Sequence, residues 1–135
     1  MNMLPDLQSS LICDDVRQER NGKFMLIGIF DAIHSEQLPV TFMKMCLVTR
    51  WCNGAGNFIQ RSQILNTDQK TVLAAGQDVR VNLPSPEAAA TSVEVFINVT
   101  FPAPGVYWVE ILLDGDLKIR YPLRVNKLDR PAPAL

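Results

Sequence analysis

Apolar and polar residues alternate along most of this chain. In DLKIRYPLRV, Leu117, Ile119, Tyr121, Leu123 and Val125 fall on one side, and Lys118, Arg120, Pro122 and Arg124 on the other. Successive side chains of an extended strand point to opposite faces, so this period of two predicts a half-buried strand over 117–125. SVEVFINVTF repeats the pattern, with Val93, Val95, Ile97, Val99 and Phe101 expected inward. VYWVEILL does the same with Tyr107, Val109, Ile111 and Leu113. Further strands are expected near 9–19, 23–30, 40–52, 57–66 and 70–83. Turn signals separate them: Asn21-Gly22, Asn53-Gly54, Pro84-Ser85-Pro86, Pro102-Ala103-Pro104-Gly105 and Asp114-Gly115-Asp116. Seven or eight short strands punctuated in this way predict an antiparallel sandwich or barrel. SPEAAATS, with Ser85 as a cap and Pro86 in the first turn, is the one hint of helix.

Two hairpins can be registered. A two-residue Asn21-Gly22 turn pairs Arg20 with Lys23, Arg17 with Leu26, Asp15 with Gly28 and Cys13 with Phe30. In the later hairpin Ile111 and Ile119 must share a face, so the loop has three residues, or two with a bulge. That register sets Glu110 opposite Arg120 and Trp108 opposite Pro122. A proline cannot donate to a ladder, which places 117–125 at a sheet edge.

In PGVYW, Tyr107 follows Pro104-Gly105 and points inward. Immunoglobulin-like sandwiches carry such a tyrosine at the start of strand F, two residues before the second cysteine of their disulfide. Val109 stands at that cysteine position, and 23–30 has no cysteine, so the chain resembles a disulfide-free immunoglobulin-like β-sandwich. LICDDVRQERNGKFMLIGIFDAI together with FPAPGVYWVEILLDG resembles an uncharacterised bacterial family of small proteins of this kind, a domain of unknown function. The resemblance covers nearly the whole chain. It implies a stand-alone sandwich and brings no activity with it. The sandwich is expected over 1–126, and the unpatterned 127–135 is expected to be an extended tail.

Composition narrows the function classes. The chain has 135 residues, enough for one domain and one core. Thirteen basic against 14 acidic residues leave a net charge of -1, which argues against a nucleic-acid partner. The N-terminus has no basic region or long apolar run, and no stretch approaches the roughly 18 apolar residues of a membrane span. The expectation is a soluble cytoplasmic protein with no membrane contact. Cys13, Cys46 and Cys52 are an odd count with no CxxC. On one strand Cys46 and Cys52 would lie about 20 Å apart, too far for a disulfide. Free thiols fit a reducing compartment.

The stretch CDDVRQERNGK gathers a thiol, two adjacent carboxylates and two arginines. Asp14 and Asp15 are adjacent on a strand, so without a bulge they cannot converge on one metal or one bond. Asp15 is expected to pair with Arg17 and to fill the space that Gly28 leaves. Cys13, opposite Phe30, lacks a base to activate it and is expected in the core; Cys46 and Cys52 share a face with Lys44 and Arg50 and are expected to be more exposed. His34 is the single histidine, in a loop with Asp31 and Glu36 nearby, and no zinc set can be built around it. NGAGN lacks the lysine of a phosphate loop, and DGD is too short for a calcium loop. No catalytic residue, cofactor or metal is expected.

What remains is a non-catalytic protein-interaction or structural module. A small-ligand or carbohydrate binder, or an enzyme with an unrecognised site, is the alternative. In an immunoglobulin-like order 106–113 would lie between 117–125 and 40–52. Trp108 and Leu112 would then join Phe42 and Val48 in an outward apolar patch rimmed by Lys118 and Arg124. The module is expected to self-associate, so the expected partner is a protein, first of all a second copy of this chain in a symmetric homodimer. Asp15, Arg17, Gly28 and Tyr107 are expected to be structural.

Overall fold

The computed structural model describes residues 2–129, so most of the expected tail, 130–135, lies outside the described residues. Ten strands follow one another: β1 (Asp6–Gln18), β2 (Phe24–Phe30), β3 (Ala32–Ser35), β4 (Val40–Cys52), β5 (Gly56–Leu65), β6 (Val72–Ala75), β7 (Val79–Leu83), β8 (Ala90–Phe101), β9 (Gly105–Leu113) and β10 (Asp116–Lys127). No helix occurs among the described residues; SPEAAATS makes only a turn, closed by Ala88 N–H on the Ser85 carbonyl at 3.0 Å.

The strands form two sheets. Sheet I has the order β2-β1-β4-β8, and sheet II the order β3-β10-β9-β5-β6, with β7 pairing the other end of β5. Every pairing is antiparallel except β3 with β10, which is parallel. The all-β expectation therefore holds, with ten strands in place of seven or eight and one parallel pair. The extra strands have local causes. Gly76-Gln77-Asp78 interrupts the strand expected over 70–83, and DAIHS, expected as loop, lies along the end of β10. That pairing covers only Arg124–Lys127, so β10 is a free edge over its first part alone, where Pro122 sits.

One core joins the two sheets. Ile12, Met45, Leu47 and Trp51 come from sheet I and Tyr107, Val109, Ile111 and Leu123 from sheet II, all buried. Trp51, Phe101 and Tyr107 are fully buried, and each contributes about 2–3 kcal/mol by leaving water. Phe101 meets Tyr107 edge to face at 5.0 Å. The Tyr107 hydroxyl donates back to the Ala103 carbonyl at 2.7 Å, pinning the β8–β9 corner.

The β9–β10 register is as expected: a tight Asp114-Gly115 turn with a shift at Leu117/Ile119 sets Ile119 opposite Ile111, Arg120 opposite Glu110 and Pro122 opposite Trp108. The β1–β2 register differs by one residue. Gly22, with φ 90°, closes a longer turn in which Gly22 N–H bonds Glu19 O and Glu19 N–H bonds Lys23 O. Arg17 thus opposes Met25, Asp15 opposes Ile27 and Cys13 opposes Ile29. Gly28 has φ 70°, and a Cβ there would overlap the Asp14 carboxylate, so the space that Gly28 leaves is taken by Asp14 and not Asp15. At this kink the hairpin turns back over the outer face of sheet I. Its tip residues Asn21–Phe24 share a cleft with Ser9, Arg50 and Thr91, and its Val16 and Leu26 pack on Cys13, Cys46 and Val48 as a second small core.

β8 carries the most consequential departure. Asn98 has φ 54°, a left-handed conformation that asparagine tolerates better than most residues. It reverses the inward phase of the strand. Val99 and Phe101 point inward as expected, but on the other side of Asn98 the inward residues are Phe96 and Glu94, while Val95 and Ile97 are exposed.

Candidate functional site

The reversal at Asn98 turns a carboxylate into the sandwich. Glu94 is 8% exposed and belongs to a polar cluster with Gln60 and Ser62, both fully buried on β5, and Trp51 on β4. Ser62 Oγ donates to Glu94 Oε1 at 2.6 Å, and Gln60 Nε2 donates to the same oxygen at 2.8 Å. Gln60 Oε1 in turn accepts from Trp51 Nε1 at 2.8 Å and from Ser92 Oγ at 3.1 Å. Burial pushes the Glu94 carboxyl above the usual carboxylate range, and the Ser62 and Gln60 bonds offset part of that rise.

Glu94 opens onto a groove of about 860 Å³. One wall is β8 from Glu94 to Thr100, and the other runs from Leu73 in β6 through the Gly76-Gln77-Asp78 link to Val79 at the start of β7. Gly76 shapes the inner end: a Cβ there would stand 2.5 Å from Glu94 Oε2. Leu73, Ala74 and Phe96 supply apolar lining. β8 is the last strand of sheet I and bonds only to β4. Its other edge runs along the groove, and beside it Val95 and Ile97 stand 51% and 60% exposed.

The residues singled out from sequence lie elsewhere. β9 sits between β10 and β5, and β4 belongs to sheet I, so the patch expected around Trp108 is divided. Trp108 and Leu112 are half-buried on sheet II, Trp108 between Pro122 and Leu65. Phe42 turns into the core, stacked on Phe30 at 6.0 Å and edge to face with Phe101 at 6.1 Å. Val48 is buried under the hairpin. Lys118 and Arg124 are exposed on β10.

Asp15 meets Lys44 at 2.7 Å and Arg17 only at 3.9 Å. The hydrogen bond from Lys44 is the main reason its carboxyl is held below the usual range. Cys13 and Cys46 are cross-strand partners, both buried, and burial pushes both thiols up, away from the reactive thiolate. Cys46 is therefore not the exposed residue expected, because the folded-back hairpin covers it; Cys52 is half-buried. His34 lies on β3, exposed, its Nδ1 3.5 Å from Asn126 Nδ2. Glu110, on the outer face of sheet II, takes Arg120 at 2.6 Å and Gln63 at 2.7 Å. No group of three or more histidine, cysteine or acidic residues placed to hold a metal ion occurs among the described residues. None of the described helices could cross a membrane, since there are none.

A family model described as a family of unknown function, DUF6941, matches residues 8–126. The chain belongs to DUF6941. The matched span of this DUF6941 chain takes in the Glu94 cluster, Gly76, all of β8 and the kink at Gly28. A comparison with curated proteins gave no match.

Proposed function

We propose that this DUF6941 chain is a non-catalytic binding module that takes an extended polypeptide segment onto the free edge of β8. The observation that carries the reading is the edge itself. β8 is 12 residues long, and among the described residues no other strand left at a sheet edge along its whole length is as long: β2 has seven residues, β7 five, and β3 and β6 four each. A long edge with exposed apolar side chains is a template for another strand, and proteins that do not use such an edge shorten, charge or cover it. Here it is flanked by Val95 and Ile97 on one side and by the groove on the other. A strand added to β8 would place alternate side chains on Val95 and Ile97 and the rest in the groove.

The arrangement of the two sheets supports an immunoglobulin-like architecture. The β8–β9 corner is held by the Tyr107 hydroxyl on Ala103, and a short strand, β3, runs parallel to the last strand, β10. Two observations support a non-catalytic role. The thiols Cys13 and Cys46 are buried and raised, and His34 lies on β3 in sheet II, while Glu94 opens on the edge strand of sheet I.

The test is a selection of random peptides on the wild-type chain, followed by binding to Ile97→Lys and Trp108→Ala. Ile97 points outward, so the lysine leaves the core intact and blunts the edge. Selected peptides should lose about tenfold or more in affinity for Ile97→Lys. Peptides that bind Ile97→Lys unchanged and fail on Trp108→Ala would overturn the β8 reading.

A further inference from the structure

We propose that the groove beside β8 is selective for a basic side chain, a lysine or arginine carried by the extended segment, and that Glu94 receives it. This deepens the strand-addition reading and rests on it. The cluster has a direction. Trp51 Nε1 can only donate, so Gln60 presents Oε1 to it and turns its NH₂ toward Glu94. Ser62 Oγ accepts from Gln60 Nε2 at 3.1 Å and so has its own hydrogen for Glu94. Both donors converge on Oε1, and these two bonds offset part of the rise that burial imposes on the carboxyl. Oε2 receives no hydrogen bond from the described residues, although Glu94 is only 8% exposed. It faces the space kept clear by Gly76.

The charge around it is one-sided. Glu94 and Asp78 line the groove, and among the described residues no lysine or arginine does. Asp78 is met by Arg61 at 3.3 Å, whereas no described cation lies within ion-pair distance of Glu94. A carboxylate taken out of water and left short of a counter-charge binds a cation through a charge-assisted hydrogen bond. Leu73, Ala74 and Phe96 offer apolar surface to the methylene stem that carries such a charge.

Two peptides test this by nuclear magnetic resonance titration: acetyl-Thr-Val-Thr-Lys-Thr-Val-Thr-amide, and the same peptide with norleucine for lysine. The lysine peptide should shift the Gly76 and Glu94 amides and bind about tenfold more tightly. In Glu94→Gln, with its fold confirmed by an unchanged spectrum elsewhere, the two affinities should become equal. Equal binding of both peptides along β8 of the wild type would overturn the role of Glu94 and leave strand addition standing. If neither peptide shifts β8, strand addition fails, and n-butylammonium reads Glu94 by itself. A saturable shift at Gly76, missing with n-butanol and in Glu94→Gln, would support the cation site; no such shift would overturn it.

Discussion

Replacing Gln60 with methionine removes the hub of the buried cluster at nearly constant volume, so little of the effect comes from packing. The Trp51 Nε1–H, on a fully buried side chain, loses its acceptor. An orphaned buried donor costs about 1–3 kcal/mol. Glu94 loses one of its two donors, and a bond to a charged group contributes about 1.5–3 kcal/mol. Ser92 keeps a second contact on the Thr49 carbonyl at 3.5 Å and adds little. Partners that share one hub are not additive, so the expected loss is about 3–5 kcal/mol. That is a large part of the roughly 5–15 kcal/mol that holds a domain folded. Urea denaturation followed by tryptophan fluorescence reads it as a midpoint lowered by about 2 M at an unchanged slope near 2 kcal/mol per M. The Glu94 carboxyl should also rise further in this variant, because one of the two bonds that lower it is gone. A stability change under about 0.5 kcal/mol would refute the claim that Gln60 ties Trp51 to Glu94.

Other consequences follow from the same geometry. The folded-state carboxyl of Glu94 lies above its unfolded value of about 4.3, so the stability it carries is full below that pH and is lost as pH rises through the folded value. Glu94→Gln should remove this falling arm from a stability–pH curve, and an identical slope in both proteins would mean that another group titrates. Gly28→Ala forces a side chain into a left-handed position against Asp14 and should cost about 1–3 kcal/mol in chemical denaturation; a neutral result would mean that the kink does not depend on Gly28. Ellman's reagent should label Cys52 first in the native protein, with Cys13 and Cys46 reacting only as the chain opens, and rapid native labelling of Cys46 would show that the hairpin does not cover it.

The pieces legible in the sequence are those where one periodic signal stood alone. The β9–β10 register could be read because only one alignment keeps Ile111 and Ile119 on one face, and Tyr107 announced its corner. The fold-back of β1–β2 could not be read. Asn21-Gly22 fits both a two-residue turn and the longer turn observed, and a one-residue slip moves every partner. β8 hid its carboxylate for a related reason. Val93, Val95 and Ile97 keep the phase of Val99 and Phe101, so alternation set Glu94 on the wet side, and only Phe96 stood against it. The available signal was Asn98, a residue rare inside strands and tolerant of a positive φ. Gln60 and Ser62 had no signal, because IQRSQIL is polar on both faces over that stretch. The Trp108 patch failed for a topological reason, since strand order between sheets is not written in the pattern of any one strand.

The central claim is that β8 is the edge on which an extended segment is received. Residue-resolved amide hydrogen exchange, with and without a selected peptide, tests it most directly. β8 bonds to β4 on one side only, so alternate amides between Glu94 and Thr100 should exchange quickly in the free chain and slow by about tenfold or more in the complex. Protection that appears on β2 or around Trp108, with those β8 amides unchanged, would contradict the account.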